Sequence, residues 1–290
     1  GLNVRLLLDG QIFIASGPGI RVIQGDYLSH IAFLNSRFAS YFIRLLSPKL
    51  TVAAGYIAKI PVLDELLLSD ELAGYARTCI ERKRDRLSKR PIFLEYQPLV
   101  DIGHSTTLDE QALSWFLKDM EDEWEQLCAE KEIDRYILNA FDLTDDDVEN
   151  LNAQVGRHAL DIDAHLSLSV NEMDAAISEL LSANCMLNRT RPGKNHLGCD
   201  GVLEYLTFKF NVSTRNLYQA ISRNAQSFHK TLAKYKDAYI HSLVLSALGY
   251  SIESLPRELP KNVLIDEIAL RFPSLDREMD TIDKWIENRL

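Results

Sequence analysis

The sequence predicts a mainly α protein with a small β-rich N-terminal part (α+β), followed by a helical, bundle-like extension with a candidate helix-turn-helix. Three observations carry this expectation. Short apolar runs broken by Asp9-Gly10 and Gly17-Pro18-Gly19 fill the first 33 residues. From residue 63 onward, capping residues followed by apolar residues at three- and four-residue spacing recur to the C-terminus. The composition, 46% hydrophobic and 26% charged over 290 residues, is that of a globular chain long enough for one large core or a few small ones. The expected divisions are 1–62, 63–165, 166–250 and 251–290.

Val4 to Leu8, Gln11 to Ala15 and Gly19 to Ile23 read as short strands, and Asp-Gly between two of them is a hairpin signal. Leu34-Asn35-Ser36 reads as a helix start, with a short polar side chain placed to accept an orphan backbone N–H. Phe38, Phe42, Leu45 and Leu46 follow at helical spacing, and Ser47-Pro48 ends the helix. Thr51 to Val62, closed by Ile60-Pro61, suits an edge strand. Ser69-Asp70-Glu71 opens a helix with negative charge at its positive end; Leu72, Ala76, Cys79, Lys83 and Leu87 line one face, Arg77, Arg82, Arg84 and Arg86 project elsewhere, and Pro91 ends it. Thr107-Leu108-Asp109-Glu110 is a capping box, followed by Ala112, Phe116, Met120, Trp124 and Leu127 on one face. Ile133, Tyr136, Ile137 and Ala140 mark a further helix, and Thr144 with Asp147 caps the next. Pro256 and Pro260 bound a linker to two last helices, one with Leu264, Ile268 and Leu270, the other with Met279, Ile282 and Ile286.

The order helix, turn, then Gly55-x-Ile57-x-x-Ile60-Pro61-Val62 over residues 34–62 resembles the end of the target-recognition region in bacterial adenine-specific DNA methyltransferases. Type II restriction–modification enzymes with fused methylase and specificity regions share it, as do the BREX-type (PglX-like) phage-defence methylases. Glu132 to Leu151 is similar to the segment that follows in these proteins, with Phe141-Asp142 standing where a Tyr-Gly pair is usual. Phe228 to Tyr250 is distantly similar to a later segment of the PglX-like family, without most of its distinguishing aromatic and Arg residues. The resemblance implies a C-terminal region of such an enzyme. Residues 1–62 would then be the end of a β-rich recognition region whose remainder lies upstream, and Gly1, opening directly on an apolar run, reads as a trimmed start. It further implies S-adenosylmethionine as cofactor of the parent enzyme, double-stranded DNA as partner, and other subunits of a defence system as further partners.

The net charge of −10 argues against a nucleic-acid partner, but the charges are segregated. From Arg77 to Arg90 seven basic residues stand against two acidic, and from Leu187 to Lys236 nine against two. From Asp119 to Asn150 thirteen acidic residues stand against two basic. Phosphate binding follows the local field, so such a chain can still hold DNA. In residues 201–224, Leu203, Leu206 and Phe210 form one short helix face. Asn211-Val212-Ser213 makes the turn, and Leu217, Ala220 and Ile221 point inward from a second helix. The candidate DNA-binding residues are therefore Arg82, Arg84, Arg86 and Lys89 for phosphate, and Arg215, Asn216, Gln219 and Arg223 for base edges or phosphate.

No catalytic residues are assigned. Adenine methylation needs an Asn/Asp-Pro-Pro-Tyr/Phe loop to hold the flipped base, and the sequence contains no Pro-Pro dipeptide. Gly17-Pro18-Gly19 lacks the strand-helix context of a nucleotide-binding loop. His104, His158, His165 and His229 lack a spaced nucleophile. Cys79, Cys128, Cys185 and Cys199 lack paired metal-ligand spacing, so Cys185, His196, Cys199 and His229 are not assigned to zinc and the thiols read as reduced. No apolar run approaches the ~20 residues of a membrane span. The expectation is a cytoplasmic DNA-recognition and DNA-clamping part of a methyltransferase that needs no cofactor in this region. Two alternatives stand beside it: a helical module that docks a protein partner or mimics DNA, and a free-standing helix-turn-helix regulator.

Overall fold

The computed structural model describes residues 2–7, 19–47, 52–90, 93, 96–97, 107–161, 228–250 and 258–289. The chain forms two compact units, Gly1–Arg82 with Glu125–Ile162, and Lys83–Trp124 with Asp163–Leu290. Among the described residues the fold is helical and contains no strand, so the expected β-rich N-terminal part is overturned.

The first unit begins with a segment without regular secondary structure whose backbone finds a side chain as its partner. The Val4 N–H donates to Asn35 Oδ1 at 2.8 Å and Asn35 Nδ2 donates to the Val4 carbonyl at 3.0 Å. One amide side chain thus satisfies the donor and acceptor that a neighbouring strand would otherwise serve. The Asp9-Gly10 hairpin turn lies outside the described residues. Helix α1 (Tyr27–Asn35) stands where strands and turns were expected. Gly25, at φ +83°, turns the chain into it, and Asp26 Oδ1 caps it by accepting from the Leu28 N–H at 2.8 Å. Ser36 closes α1 and opens α2 (Arg37–Leu46): its hydroxyl donates to the Phe33 carbonyl and accepts from the Ala39 N–H. The buried face of α2 centres on Ala39 and Ile43, which leaves Leu45 60% exposed and not on the core as its spacing predicts. The expected edge strand over 51–62 is instead a single helical turn, α3 (Ala54–Ile57), with further turns to Ile60. A second single turn, α4 (Asp64–Leu67), leads to α5 (Asp70–Ser88), where Ser69 Oγ accepts from the Leu72 N–H.

Helix α6 (Leu108–Ala140) is continuous where two helices were expected. No Gly or Pro interrupts Leu108 to Ala140, so nothing breaks the ladder. The side chains of Phe116 and Met120, which the spacing assigns to its inner face, lie outside the described residues. The helix ends in a left-handed residue, Asp142 at φ +50°, with the Asp142 N–H on the Asn139 carbonyl and the Leu143 N–H on the Leu138 carbonyl. This is the paired closure usually served by glycine. Helix α7 (Asp145–Val155) then starts in a capping box: the Asp147 N–H reaches Thr144 Oγ1 at 3.3 Å and the Thr144 N–H reaches Asp147 Oδ2 at 3.1 Å. Leu28, Phe33, Phe38, Ile43, Leu66, Leu72, Ile137 and Leu151 fill the core of this unit. Asp142→Gly relieves the left-handed strain at an exposed position and is expected to stabilise the unit by about 0.5–1 kcal/mol, read as a rise in denaturation midpoint without a change in slope.

The second unit is built on α8 (Phe228–Ala247), α9 (Lys261–Arg271), a 3-10 turn (Pro273–Glu278) and α10 (Met279–Glu287), together with the start of α6. Tyr239, Leu243, Ala247, Leu264, Ile268, Phe272, Leu275, Ile282 and Ile286 make its core, and Leu108 joins them. Helix α8 closes on Gly249 at φ +70°, whose N–H meets the Ser246 carbonyl while the Tyr250 N–H meets that of Leu245. Arg271 Nη1 donates to the Ser246 carbonyl at 2.7 Å, and Trp285 Nε1 to Asp237 Oδ1 at 2.7 Å. Leu270, placed on the inner face of α9 by the sequence, is 78% exposed, because six residues from Leu264 carry it to the far side of a 3.6-residue helix.

Candidate nucleic-acid interface

The basic residues of α5 divide by helical angle. Positions 82, 86 and 89 recur at four and three residues and share a stripe, while 77 and 84, seven apart, share another about 10 Å long. The first stripe is engaged by α6. Within the first unit Arg82 Nε meets Glu125 Oε2 at 2.5 Å. Within the second, Arg86 Nη1 meets Glu123 Oε2 at 3.1 Å, and Lys89 Nζ meets Asp119 Oδ1 at 3.3 Å. Arg77 and Arg84 are exposed. Arg82, Arg84 and Arg86 therefore lie on α5 with Lys89 just past its end, and Arg82, Arg86 and Lys89 face acidic partners that offset the field a phosphate would feel.

The three rungs differ in burial. The Glu123 side chain is 45% exposed, that of Glu125 20% and that of Asp119 12%. Asp119 also accepts the Tyr235 hydroxyl at 2.9 Å. Burial, and next the Asp119 charge, hold the Tyr235 hydroxyl well above the ordinary phenol range, so it remains a donor. Trp115 packs edge-on against the Tyr235 ring at 5.7 Å.

Arg215, Asn216, Gln219 and Arg223, with the whole candidate helix-turn-helix, lie outside the described residues. So do His104, His165, Cys185, His196 and Cys199, and the side chain of His229. His158 is buried and its Nδ1 accepts from the Leu160 N–H at 3.1 Å. Burial pushes the Cys79 thiol up to about 12 and also raises Cys128, so neither offers a thiolate at neutral pH. Among the described residues no group of His, Cys, Asp and Glu could hold a metal ion, and no helix is long and apolar enough to cross a membrane.

The best-satisfied polar cluster in the first unit is one the sequence did not single out. Asp134 accepts from the Arg37 N–H at 2.9 Å and from Arg37 Nε at 2.8 Å. Arg37 Nη1 donates onward to Asn152 Oδ1 at 2.7 Å and to the Gly156 carbonyl at 3.0 Å. Burial holds the Asp134 carboxyl above its ordinary range despite the guanidinium beside it. The only local signal for this cluster is Arg37 directly after a helix cap.

No protein-family model, curated protein or solved structure matches the chain.

Proposed function

We propose that the chain is the C-terminal, mainly helical part of an adenine-specific DNA methyltransferase of a restriction–modification or phage-defence system, and that it holds duplex DNA while methyl transfer from S-adenosylmethionine takes place elsewhere in the parent protein. One observation carries the reading. The two segments that resemble such enzymes, 34–62 and 132–151, pack into one core, with the Phe38 and Phe141 rings stacked at 4.1 Å. Their order along the chain is therefore also a spatial pairing, as parts of one module require. The left-handed Asp142 agrees with it, since the usual glycine of the family pair would sit there without strain.

Within this reading Arg77, Lys83 and Arg84 are exposed basic residues of α5, and Arg215, Asn216, Gln219 and Arg223 remain the proposed reading residues. The test is fluorescence anisotropy of labelled duplex DNA across a salt series, with Arg77→Ala/Arg84→Ala and Arg215→Ala/Arg223→Ala variants. Salt-sensitive binding is expected, and each phosphate that a variant no longer neutralises should flatten the slope of log K against log salt by about 0.9. Absence of binding at low salt, both by the wild type and by variants relieved of the carboxylates that pair with Arg82 and Arg86, would overturn the proposal. The pairing of Arg82, Arg86 and Lys89 with carboxylates favours a second reading, a partner-docking module with no nucleic-acid role. That reading predicts capture of a protein partner with weak salt dependence.

A further inference from the structure

We propose that α6 is a built-in phosphate mimic: its carboxylates compete with DNA for the α5 cations and hold DNA affinity down. The inference rests on the DNA-binding reading and concerns how that binding is regulated. A carboxylate and a phosphate diester make the same demand on a guanidinium, which offers planar N–H donors to two anionic oxygens. Glu123 and Glu125 each set one carboxylate oxygen against the guanidinium of Arg86 and Arg82, each pair formed within its own unit.

The three rungs are not equally exchangeable. Asp119 is mostly covered and held by the Tyr235 hydroxyl as well as by Lys89, so its departure would leave a buried donor without a partner. Glu123 is nearly half exposed, and on release its charge returns to water at little cost. Glu125 is intermediate. The carboxylate is most exposed at the Glu123 rung and the cation at the Arg82 rung, so a DNA phosphate can replace either Glu123 or Glu125, while the Lys89–Asp119 rung stays closed. The negative stretch Asp119–Asn150 then acts as a threshold that only a dense phosphate array overcomes.

The experiment uses the full chain and labelled duplex DNA at several salt concentrations, comparing Glu123→Gln, Glu125→Gln and Asp280→Asn. Asp280 is an exposed residue of α10, and its substitution changes the net charge by the same amount. Thermal melts establish that each variant is folded. Glu123→Gln and Glu125→Gln are each expected to bind at least about threefold tighter, with a salt slope steeper by up to about 0.9 per released cation. Asp280→Asn should leave the slope unchanged. Equal gains in all three would reduce the effect to net charge and overturn the mimic. So would wild-type binding that Glu123→Gln and Glu125→Gln leave unchanged or weaken. If neither wild type nor the Gln variants bind at low salt, the DNA-binding reading itself fails. Binding by the Gln variants alone would be the strongest support for competition.

Discussion

Asp134→Ala is expected to destabilise the first unit by about 3–5 kcal/mol, the cost of removing one member of a buried ion pair. The Asp134 side chain is 9% exposed and that of Arg37 17%, so solvent screens the pair only weakly. Three elements meet there: Asp134 comes from α6, the Arg37 N–H and side chain from α2, and Asn152 and Gly156 from α7 and its end. Removing the carboxylate leaves a helix-start N–H without its acceptor and the guanidinium without this counter-charge. Asp134→Asn should cost less than Asp134→Ala, because it keeps a carbonyl acceptor and burial already disfavours the charge. Since the folded carboxyl binds its proton more tightly than the unfolded one, the proton-linked part of its contribution is present in acid and is lost as pH rises through the folded value. The wild-type advantage over Asp134→Ala should therefore persist on mild acidification. Hydrogen exchange of the α2 and α7 amides measures this locally; protection unchanged from wild type would refute it.

What the sequence disclosed follows from how local each interaction is. Ser36, Ser69 and Thr144 with Asp147 mark helix starts because a cap needs only a short side chain and an amide two or three residues away. Helix α1 was hidden by its surroundings. Asp26 is a cap of the same kind, but it follows apolar runs and turn dipeptides that read as strands. The segment around Val4 forms no strand; its backbone partner is the side chain of Asn35, 31 positions away, and no period-two pattern encodes that. The Arg37–Asp134 pair spans 97 positions and left only an unremarked Arg at a helix start. The stripe 82, 86, 89 is legible as basic, and its spacing places it on one helix face. That this face meets Glu125, Glu123 and Asp119 depends on where α6 lies, which sequence spacing does not determine.

The charge segregation therefore has two consequences that composition alone would merge. An acidic helix beside a basic one lowers the field available to DNA, and it also makes that field adjustable, because partly exposed ion pairs are worth only about 0–1 kcal/mol each. A chain of net charge −10 can hold a polyanion only if cations outside those pairs, or released from them, face it. Arg77 is an exposed cation of α5, and the Glu123 and Glu125 rungs are the place for the second condition.

Phe38→Ala is expected to cost the first unit about 3–5 kcal/mol from the emptied volume, the usual range for a buried Phe. Phe38 is 3% exposed and sits among rings, with Phe141 stacked at 4.1 Å, Phe42 tilted at 4.8 Å and Phe33 at 6.2 Å. Because Phe38 follows the shared Ser36 cap and Phe141 follows the last residue of α6, the stack joins the start of one resembling segment to the end of the other's first helix. Phe38→Leu keeps most of the volume and removes the aromatic stacking, so its smaller effect separates packing from ring geometry. A double-mutant cycle with Phe141→Leu isolates the pair itself, expected at about 0.5–1.5 kcal/mol. Phe141→Tyr should leave stability nearly unchanged, because Phe141 is only partly buried and a hydroxyl at such a site can stay in water. A coupling of zero between positions 38 and 141 would mean that the two segments lie side by side without stabilising one another, and the structural argument for reading them as one module would fall with it.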